Sequence, residues 1–208
     1  GYARSSDGVS WTRQNGGNPV ISPSSPFTQI EAIGVIFEAS KFKALIIRTP
    51  NAEIAYTESS DGITWTTPVQ VIPPPASPNL IGTGVCLIRL GNRYYIACNY
   101  YNGTNYVINM YVTDDLADST KYRAYGTVLA TTAGAWDSQV VGYHTFLWLL
   151  GQYYMFYAGY PGSPTAYRIG LALSSDGKTY TKDFDNPCLD IGSAGQFDSS
   201  RVLGPHLV

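Results

Sequence analysis

Charged residues are scarce in this chain, and they form no basic run. Of the 208 residues, 13 are Lys or Arg and 15 are Asp or Glu, which gives a formal net charge of −2. This charged share of 13% is about half of that usual in soluble domains. A nucleic-acid backbone or an acidic membrane surface requires concentrated positive charge on its partner, so the sequence predicts neither as a partner.

The sequence also lacks long apolar runs and a leader pattern. No stretch reaches the roughly 18 apolar residues of a membrane span, and the N-terminal residues do not have the pattern of a signal peptide. We therefore expect a soluble protein. Its location stays open, and an extracellular or virion-associated place is compatible with the sequence.

Cysteine is rare as well. Cys86, Cys98 and Cys188 have no zinc-type spacing, and each lies in an apolar, strand-like run. Free cysteine behaves as a small hydrophobic residue, so we expect three reduced thiols in the core. The sequence predicts neither a disulfide scaffold nor a metal site, and it contains no motif for a cofactor.

Glycine, tyrosine and proline are abundant by contrast. The chain has 21 Gly, 17 Tyr and 13 Pro beside an apolar share of 44%, a composition typical of a turn-rich β protein with a sizeable core. Tyrosine runs occur at 100–101, 153–154 and 157–160, and tyrosines at strand ends could stack on sugar rings, because one face of the ring is apolar and its tip is polar.

One segment of eight residues occurs three times, at 5–12, 59–66 and 174–181, and each copy contains Ser-Ser-Asp-Gly. Asp-Gly between alternating apolar runs predicts a hairpin turn, because Asp bonds its own backbone and Gly accepts a positive φ. A degenerate copy around Asp115 places the turn aspartates at 7, 61, 115 and 176, at intervals of 54, 54 and 61. Such a period, with several short strands per unit, predicts a propeller or another radial array.

A second repeat supports this fold. Residues 135–141 match residues 196–202, and a pair of strand patterns joined by a Gly or a small polar turn follows in each unit. The sequence thus predicts an all-β protein, a single β-propeller domain over 1–208 with four-stranded antiparallel blades. The predicted units are a partial blade at 1–22, blades at about 23–75, 76–133 and 134–195, and a partial blade at 196–208.

Strand alternation and the two terminal segments lead to further expectations. Alternation predicts seven buried residues: Val85, Cys86, Ile88, Ile96, Leu147, Met155 and Leu171. The terminal segments together make one blade that lacks its second strand. Either part of the propeller lies outside this sequence, so that the propeller is incomplete here, or the ends meet to close a small ring.

Several motifs together resemble the blades of five-bladed glycoside hydrolases, the relatives of arabinanase, β-xylosidase, levansucrase and invertase. These are Trp/Phe-Asp-Ser with a Val four positions after the Asp, Gly-x-Tyr-Tyr-Met-x-Tyr-x-Gly at 151–159, Ile-Gly-x-Ala at 169–172, the Ser-Ser-Asp-Gly turns and Asn-Pro-Val at 18–20. The resemblance covers nearly the whole chain. It implies five blades and a glycan-binding funnel at one end of the central channel.

The resemblance also implies carboxylates on the innermost strands, where one activates water, one protonates the leaving oxygen and a third tunes that acid. The blades align on their first hairpin turns, and the position of the Glu-x-Pro acid then falls on Glu31, Gly82, Gly142 and Leu203. Only Glu31 fits, so it is the candidate catalytic residue. One acid is not a mechanism, and we expect weak or no hydrolysis in this chain.

Five other residues are candidates for substrate binding at the channel mouth: Asp137, Asp198, His144, His206 and Arg201. Asp137 and Asp198 precede an inner strand, where they line the rim or cap the turn. The two histidines lie near inner strands and are either packed residues or part of the site. Arg201 either pairs with a carboxylate at the mouth or is a surface arginine.

Two classes of function remain open at this point. The first is a carbohydrate-interacting, glycoside hydrolase-like propeller that binds glycan with weak or no hydrolysis, or an active glycosidase whose other acids lie outside this sequence. The second is a non-catalytic structural or adhesive module of a larger assembly, such as a fibre or virion surface protein, with other subunits as partners.

Overall fold

The computed structural model of the protein describes residues 1–50, 52–162 and 166–206. Within these ranges the chain forms 14 strands and two short 3₁₀ turns, Asn15–Gly17 and Ser119–Lys121, and no α-helix. The described part of the chain thus has no helix with the length and apolar character needed to cross a bilayer. The all-β prediction is confirmed.

The strands form a two-stranded sheet, a four-stranded sheet and an eight-stranded sheet. The eight-stranded sheet consists of two four-stranded antiparallel units joined by one parallel pair, and we call these units the second and third four-stranded sheets. The two-stranded sheet contains β1 (Ala3–Arg4) and β2 (Thr12–Arg13). The first four-stranded sheet contains β3 (Gln29–Glu38), β4 (Lys41–Thr49), β5 (Glu53–Ser59) and β6 (Val69–Ile72). The second contains β7 (Leu80–Leu90), β8 (Arg93–Tyr101), β9 (Tyr106–Thr113) and β10 (Arg123–Leu129). The third contains β11 (Val140–Leu149), β12 (Gln152–Tyr160), β13 (Arg168–Ser174) and β14 (Thr181–Lys182).

The three larger sheets are arranged around their first strands. The first strand of the second sheet, β7, contacts both β3 and β11, and the start of β9 meets the start of β11 through the parallel pair Tyr106 and Val140. Residues 196–206 form no strand, and residues 207 and 208 of the predicted last partial blade lie outside the described residues. The exact bounds of the units stay a prediction.

The hydrophobic core lies between neighbouring sheets. One cluster joins Leu45 and Ile54 of the first sheet to Ile96 of the second, and another joins Met110 of the second sheet to Met155 of the third. This is the arrangement expected when a sheet cannot bury both faces alone, so that each must pack on its neighbour.

The predicted core is confirmed in part. Ile96 and Met155 are fully buried, whereas the other five predicted residues are half-buried: Val85, Cys86, Ile88, Leu147 and Leu171. The first three still pack against the two clusters. Leu147 and Leu171 lie on the face of the third sheet opposite to Met155, because side chains alternate along each strand.

The expectation of three core thiols is wrong for one cysteine. Cys98 is buried and Cys86 is half-buried, but Cys188 is exposed. Cys188 belongs to a short segment after β14 that lies at the edge of the third sheet, where Leu189 bridges to Ile169 and the Cys188 thiol lies 3.4 Å from the carbonyl oxygen of Ile169. The rest of the Cys188 side chain is exposed.

Each innermost strand carries a β-bulge near the same point. The register shifts fall between Ile30 and Ile33 in β3, between Ile81 and Val85 in β7, and between Gly142 and Thr145 in β11. The aligned positions 31, 82 and 142 thus lie at or beside equivalent bulges. Bulges re-aim side chains and are common beside active sites.

The side chain of Asn99, which is buried, occupies the space between two of these bulges. A Cβ atom added to Gly84 would lie 2.8 Å from its Oδ1, and one added to Gly142 would lie 2.6 Å from its Nδ2. Oδ1 also accepts a hydrogen bond from the backbone N–H of Tyr143 at 3.0 Å. Glycine on both inner strands is therefore required for this close approach.

A charged network joins the first and second sheets. Glu38 at the end of β3 accepts hydrogen bonds from Lys43 at 2.5 Å, from Arg89 at 2.6 Å and from Tyr94. Burial opposes ionisation of Glu38, but hydrogen bonds from Lys43, Tyr94 and Arg89 outweigh it and lower its pKa to about 2. The carboxylate therefore holds two neighbouring sheets together.

The repeated turns have the geometry that their sequence predicts. Asp61 Oδ1 accepts the backbone N–H groups of Ile63 and Thr64, each at 2.7 Å, and Asp7 and Asp176 do the same in their copies. Asp115 replaces them in the second sheet, where it accepts the N–H of Ala117 at 3.0 Å. The fourfold repeat is confirmed as a structural element.

We predict that Asp61→Ala lowers the melting temperature by a few degrees at pH 7, because two backbone N–H groups lose their acceptor. Hydrogen bonds from the backbone of Thr64 and Ile63 lower the pKa of Asp61 from 3.8 to about 2. This contribution is present above pH 3.8 and is lost as the pH falls through about 2. Circular dichroism melts of both proteins at pH 7 and at about pH 2 test this, and Asp61→Asn serves as a milder control substitution. Superimposable melts at pH 7 would contradict the role of the turn.

We also predict that Gly142→Ala costs about 2 kcal/mol of unfolding free energy, because its Cβ would overlap the side chain of Asn99. Asn99→Ala should destabilise as well, and the double variant should lose less than the sum of the two, with a coupling of about 1 kcal/mol. Urea unfolding of the four proteins of this cycle measures the coupling. Strict additivity would show that the two positions are not in contact.

Candidate functional site

A groove of about 920 Å³ lies between the third sheet and the segment 197–206. One wall consists of Tyr143, Phe156 and Ile169 on strands β11 to β13, and the segment forms the other wall. The backbone N–H of Val202 donates to the carbonyl oxygen of Tyr167 at 3.0 Å, which attaches the segment to the sheet. The groove is thus a cleft with an apolar floor.

Three of the six candidate site residues line this groove: Asp198, Arg201 and His206. Arg201 and His206 are exposed, and Asp198 is half-buried. A carboxylate, a guanidinium group and an imidazole beside apolar and aromatic side chains can donate to and accept from a polyhydroxylated ligand.

Tyr143 contributes an aromatic wall that sequence reasoning missed. Its φ of 45° is unusual for a bulky residue, and it lies in the β11 bulge, which directs the residue into the groove. Its ring makes an edge contact with Tyr167 at 5.9 Å between centroids, and Tyr167 stacks on Tyr160 at 4.8 Å. Of these three tyrosines, only Tyr160 belongs to a run that the sequence analysis named. Tyr143 was missed because a positive φ at a tyrosine leaves no signal in the sequence.

Glu31 is exposed at the β3 bulge and does not reach the groove. It lines a separate cavity of about 370 Å³ with Tyr2, Phe42 and Trp65, and the two cavities share no lining residue. The structure therefore does not bring Glu31 together with Asp198.

Asp137 precedes β11 and packs against the third sheet, with only 1% of its surface exposed. Its Oδ2 accepts from Lys182 Nζ at 2.5 Å and from the Tyr157 hydroxyl at 3.2 Å. The Trp136 ring packs on Gly159 and Gly170, where any larger residue would overlap it. This packing places the neighbouring Asp137 against the face of the sheet, beside Gly159. Asp137 thus neither lines the groove nor caps its turn, but forms a buried ion pair.

His144 is also placed in the interior. It is only 8% exposed, and burial lowers its pKa to about 4, so the imidazole is neutral at pH 7. It lies in the same bulge as Tyr143 but does not line the groove. Its position matches the packed-histidine alternative.

No family model matches the chain, and no curated protein matches it. Solved structures do. A family 117 glycoside hydrolase from the marine bacterium Zobellia galactanivorans aligns with a TM-score of 0.64 at 18% identity, over 76% of this chain and 55% of that chain.

Two further structures align over most of the chain. The β-1,2-mannobiose phosphorylase from Listeria innocua, described in complex with β-1,2-mannobiose, gives a TM-score of 0.67 at 19% identity, over 92% of this chain and 54% of that chain. The third structure is a member of the GH130 family of mannoside phosphorylases, which contains hydrolases that target β-1,2-mannosidic linkages in Candida mannan. It aligns with a TM-score of 0.70 at 16% identity, over 90% of this chain and 63% of that chain. The chain therefore has the β-propeller fold of these glycoside hydrolase and phosphorylase structures.

The three four-stranded sheets are therefore propeller blades, and the predicted fold class is confirmed. The chain spans between 54 and 63% of the length of these three structures. None of the three is described as an arabinanase, β-xylosidase, levansucrase or invertase, so the sequence motifs identify the scaffold and not that subgroup. Identities below 20% relate the folds and carry no activity to this chain.

Residues 1–50, 52–162 and 166–206 contain no group of three or more His, Cys, Asp or Glu side chains placed to hold a metal ion. The functional groups that line the groove include one carboxylate, one guanidinium group, one imidazole and several aromatic rings.

We predict that Lys182→Met destabilises the third blade by about 3 kcal/mol, because it leaves the carboxylate of Asp137 buried without its cation. Adding Asp137→Asn should recover part of this loss, since the buried charge is then removed. Lys178→Met, in the turn of the same blade, is the control and should change the unfolding free energy little. Equal urea midpoints for Lys182→Met and the unchanged protein would show that the ion pair does not form.

Proposed function

We propose that this chain is a carbohydrate-interacting, glycoside hydrolase-like propeller that binds glycan in the groove beside the third blade, with weak or no hydrolysis. The observation that supports this most is the meeting of Asp198, Arg201 and His206 in one apolar groove. These residues are well separated from the aromatic residues of β11 and β12 in the sequence, and the fold brings both sets together.

The character of the groove suits a neutral sugar. Its volume of about 920 Å³ is in the usual range of small-molecule sites and accommodates a short oligosaccharide. Sugar rings have apolar faces and polar edges, which match an aromatic wall containing Tyr143 and Phe197 with few polar groups. Asp198 accepts from sugar hydroxyls and Arg201 donates to them.

The arrangement of carboxylates argues for weak or absent hydrolysis. Glycosidases use two carboxyl groups within about 10 Å of each other across the scissile bond. Glu31 is the only acid among the three bulge positions 31, 82 and 142, and it lines a different cavity from Asp198. Asp137 is paired with Lys182 against the third sheet. The described residues thus supply no second carboxylate beside Glu31 in its cavity.

We predict that Arg201→Gln weakens glycan binding about tenfold, because it removes charge-assisted hydrogen bonds at the groove. A glycan array identifies the ligand, and isothermal titration calorimetry then measures its affinity. Arg13→Gln is the matched control, since Arg13 is an exposed arginine on β2, outside the groove. Absence of any glycan binding at millimolar concentrations would refute the proposal.

The hydrolysis half of the proposal needs a separate assay on the same glycans. A reducing-sugar assay should show turnover near background, and Glu31→Gln should leave it unchanged. Rapid turnover that Glu31→Gln abolishes would show that the chain is a glycosidase.

A further inference from the structure

A third cavity, of about 450 Å³, lies at the edge of the second blade where β8 and β10 begin and β9 ends. Four cationic side chains line it: Arg93, Lys121, Arg123 and Lys178. Asp114 is its one carboxylate. We name this cavity the basic pocket. It shares no lining residue with the groove.

The fold assembles the basic pocket from distant parts of the chain. Antiparallel pairing aligns Tyr94 with Thr113 and Arg123 with Val112, so the starts of β8 and β10 lie beside the end of β9. Lys121 ends the short 3₁₀ turn before β10. This explains why the sequence shows no basic run although four cations meet here.

The fourth cation comes from the neighbouring blade. Lys178 follows the Asp176 turn of the third blade, and its Nζ lies 4.7 Å from the centroid of the Tyr125 ring on β10. The basic pocket therefore lies across a junction of two blades, with Tyr125 as an aromatic wall.

The positive charge of the pocket is compensated in part. Lys121 Nζ lies 3.8 Å from Asp114 and 3.6 Å from Asp115, and Lys178 and Lys121 attract the nearby carboxylates of Asp176 and Asp118. Across the described part of the chain, Arg93 and Arg123 form no ion pair. The lining itself contains four cations and one carboxylate, and a concave site with such an excess of cations raises the local concentration of anions.

The two threonine hydroxyls of the pocket are already engaged. Thr113 Oγ1 donates to the carbonyl oxygen of Asp115 at 2.9 Å, and Thr120 Oγ1 donates to Asp118 Oδ1 at 2.7 Å. The other side-chain donors of the lining are the four cationic groups and the Tyr125 hydroxyl. Because most of these donors are cationic, the pocket favours a charged, acceptor-rich ligand over a neutral sugar.

We propose that the basic pocket binds a tetrahedral oxyanion, sulfate or phosphate, either as the free ion or as an ester on a saccharide. Arginine presents a planar fork of N–H donors that matches two oxygens of such a group, and lysine adds a point charge. Binding would also hold the second and third blades together, because Arg123 and Lys178 belong to different blades.

The test is calorimetric titration of the chain with sodium sulfate and with sodium phosphate at constant ionic strength. We expect saturable binding in the millimolar range or tighter. The double variant Arg93→Gln/Arg123→Gln should bind sulfate and phosphate at least about tenfold more weakly. Arg4→Gln with Arg13→Gln, which removes two exposed arginines from the β1–β2 sheet, should leave this binding unchanged.

A variant that is expected to bind sulfate more tightly distinguishes a change in binding from a folding defect. Asp114→Asn removes the lining carboxylate and should tighten sulfate binding severalfold, a change that loss of structure cannot produce. Melting temperatures measured in parallel show whether each variant is folded. No saturable binding, or equal weakening in the two double-arginine variants, would overturn the proposal, because only unspecific charge would then remain.

The source of the anion is distinguished with glucose 6-sulfate, glucose and inorganic sulfate as probes. Tighter binding of the sulfated sugar than of sulfate indicates a saccharide ester, and equal affinity indicates the free ion. Glucose should not bind in the basic pocket. Arg201→Gln should leave sulfate binding intact, so failure of the groove and failure of the basic pocket are separate results.

Discussion

The close approach of the innermost strands at Asn99 is the constraint on which the rest of the structure depends. The Asn99 side chain fits between β7 and β11 only because Gly84 and Gly142 lack a Cβ atom there. The hydrogen bond from Tyr143 N–H to Asn99 Oδ1 then holds the β11 bulge in place. Two blades are thereby held together at their inner strands by backbone and one amide, with no need for charge.

The same constraint shapes the candidate site. A Cβ atom at Gly142 would overlap the Asn99 side chain, and one at Gly82 would lie 3.0 Å from the Tyr106 ring and 3.2 Å from Asn99 Cβ. This close packing disfavours a carboxylate at either position, in contrast to Glu31 in the first blade. The bulge that accommodates Asn99 also gives Tyr143 its positive φ and sends this residue into the groove. At these positions a side chain large enough to carry a carboxylate would interfere with the close packing of the blades. This chain has glycine at both positions and therefore has the close packing without the acids.

The fold could be predicted from the sequence because its signals are local. A Ser-x-Asp-Gly turn closes through bonds between residues two and three apart, so the copies at Asp7, Asp61 and Asp176 are readable and their spacing indicates the blades. The candidate site could be predicted from the sequence only in part. Asp198, Arg201 and His206 meet because a short terminal segment contains all three. Asp137 departed from expectation because its partner, Lys182, is 45 residues away and is reached only by packing of Trp136 on two glycines.

The scarcity of charge explains why the charged groups that do occur are informative. Glu38 links two blades, and Asp137 pairs with Lys182 in a third, so several of the acids compensate cations within the structure. Arg93 and Arg123 are not compensated in this way, and they lie with Lys178 around one cavity. Like charges held close together repel one another, and a bound anion would offset that repulsion at the proposed site. The basic pocket therefore stands apart from the structural ion pairs on electrostatic grounds alone.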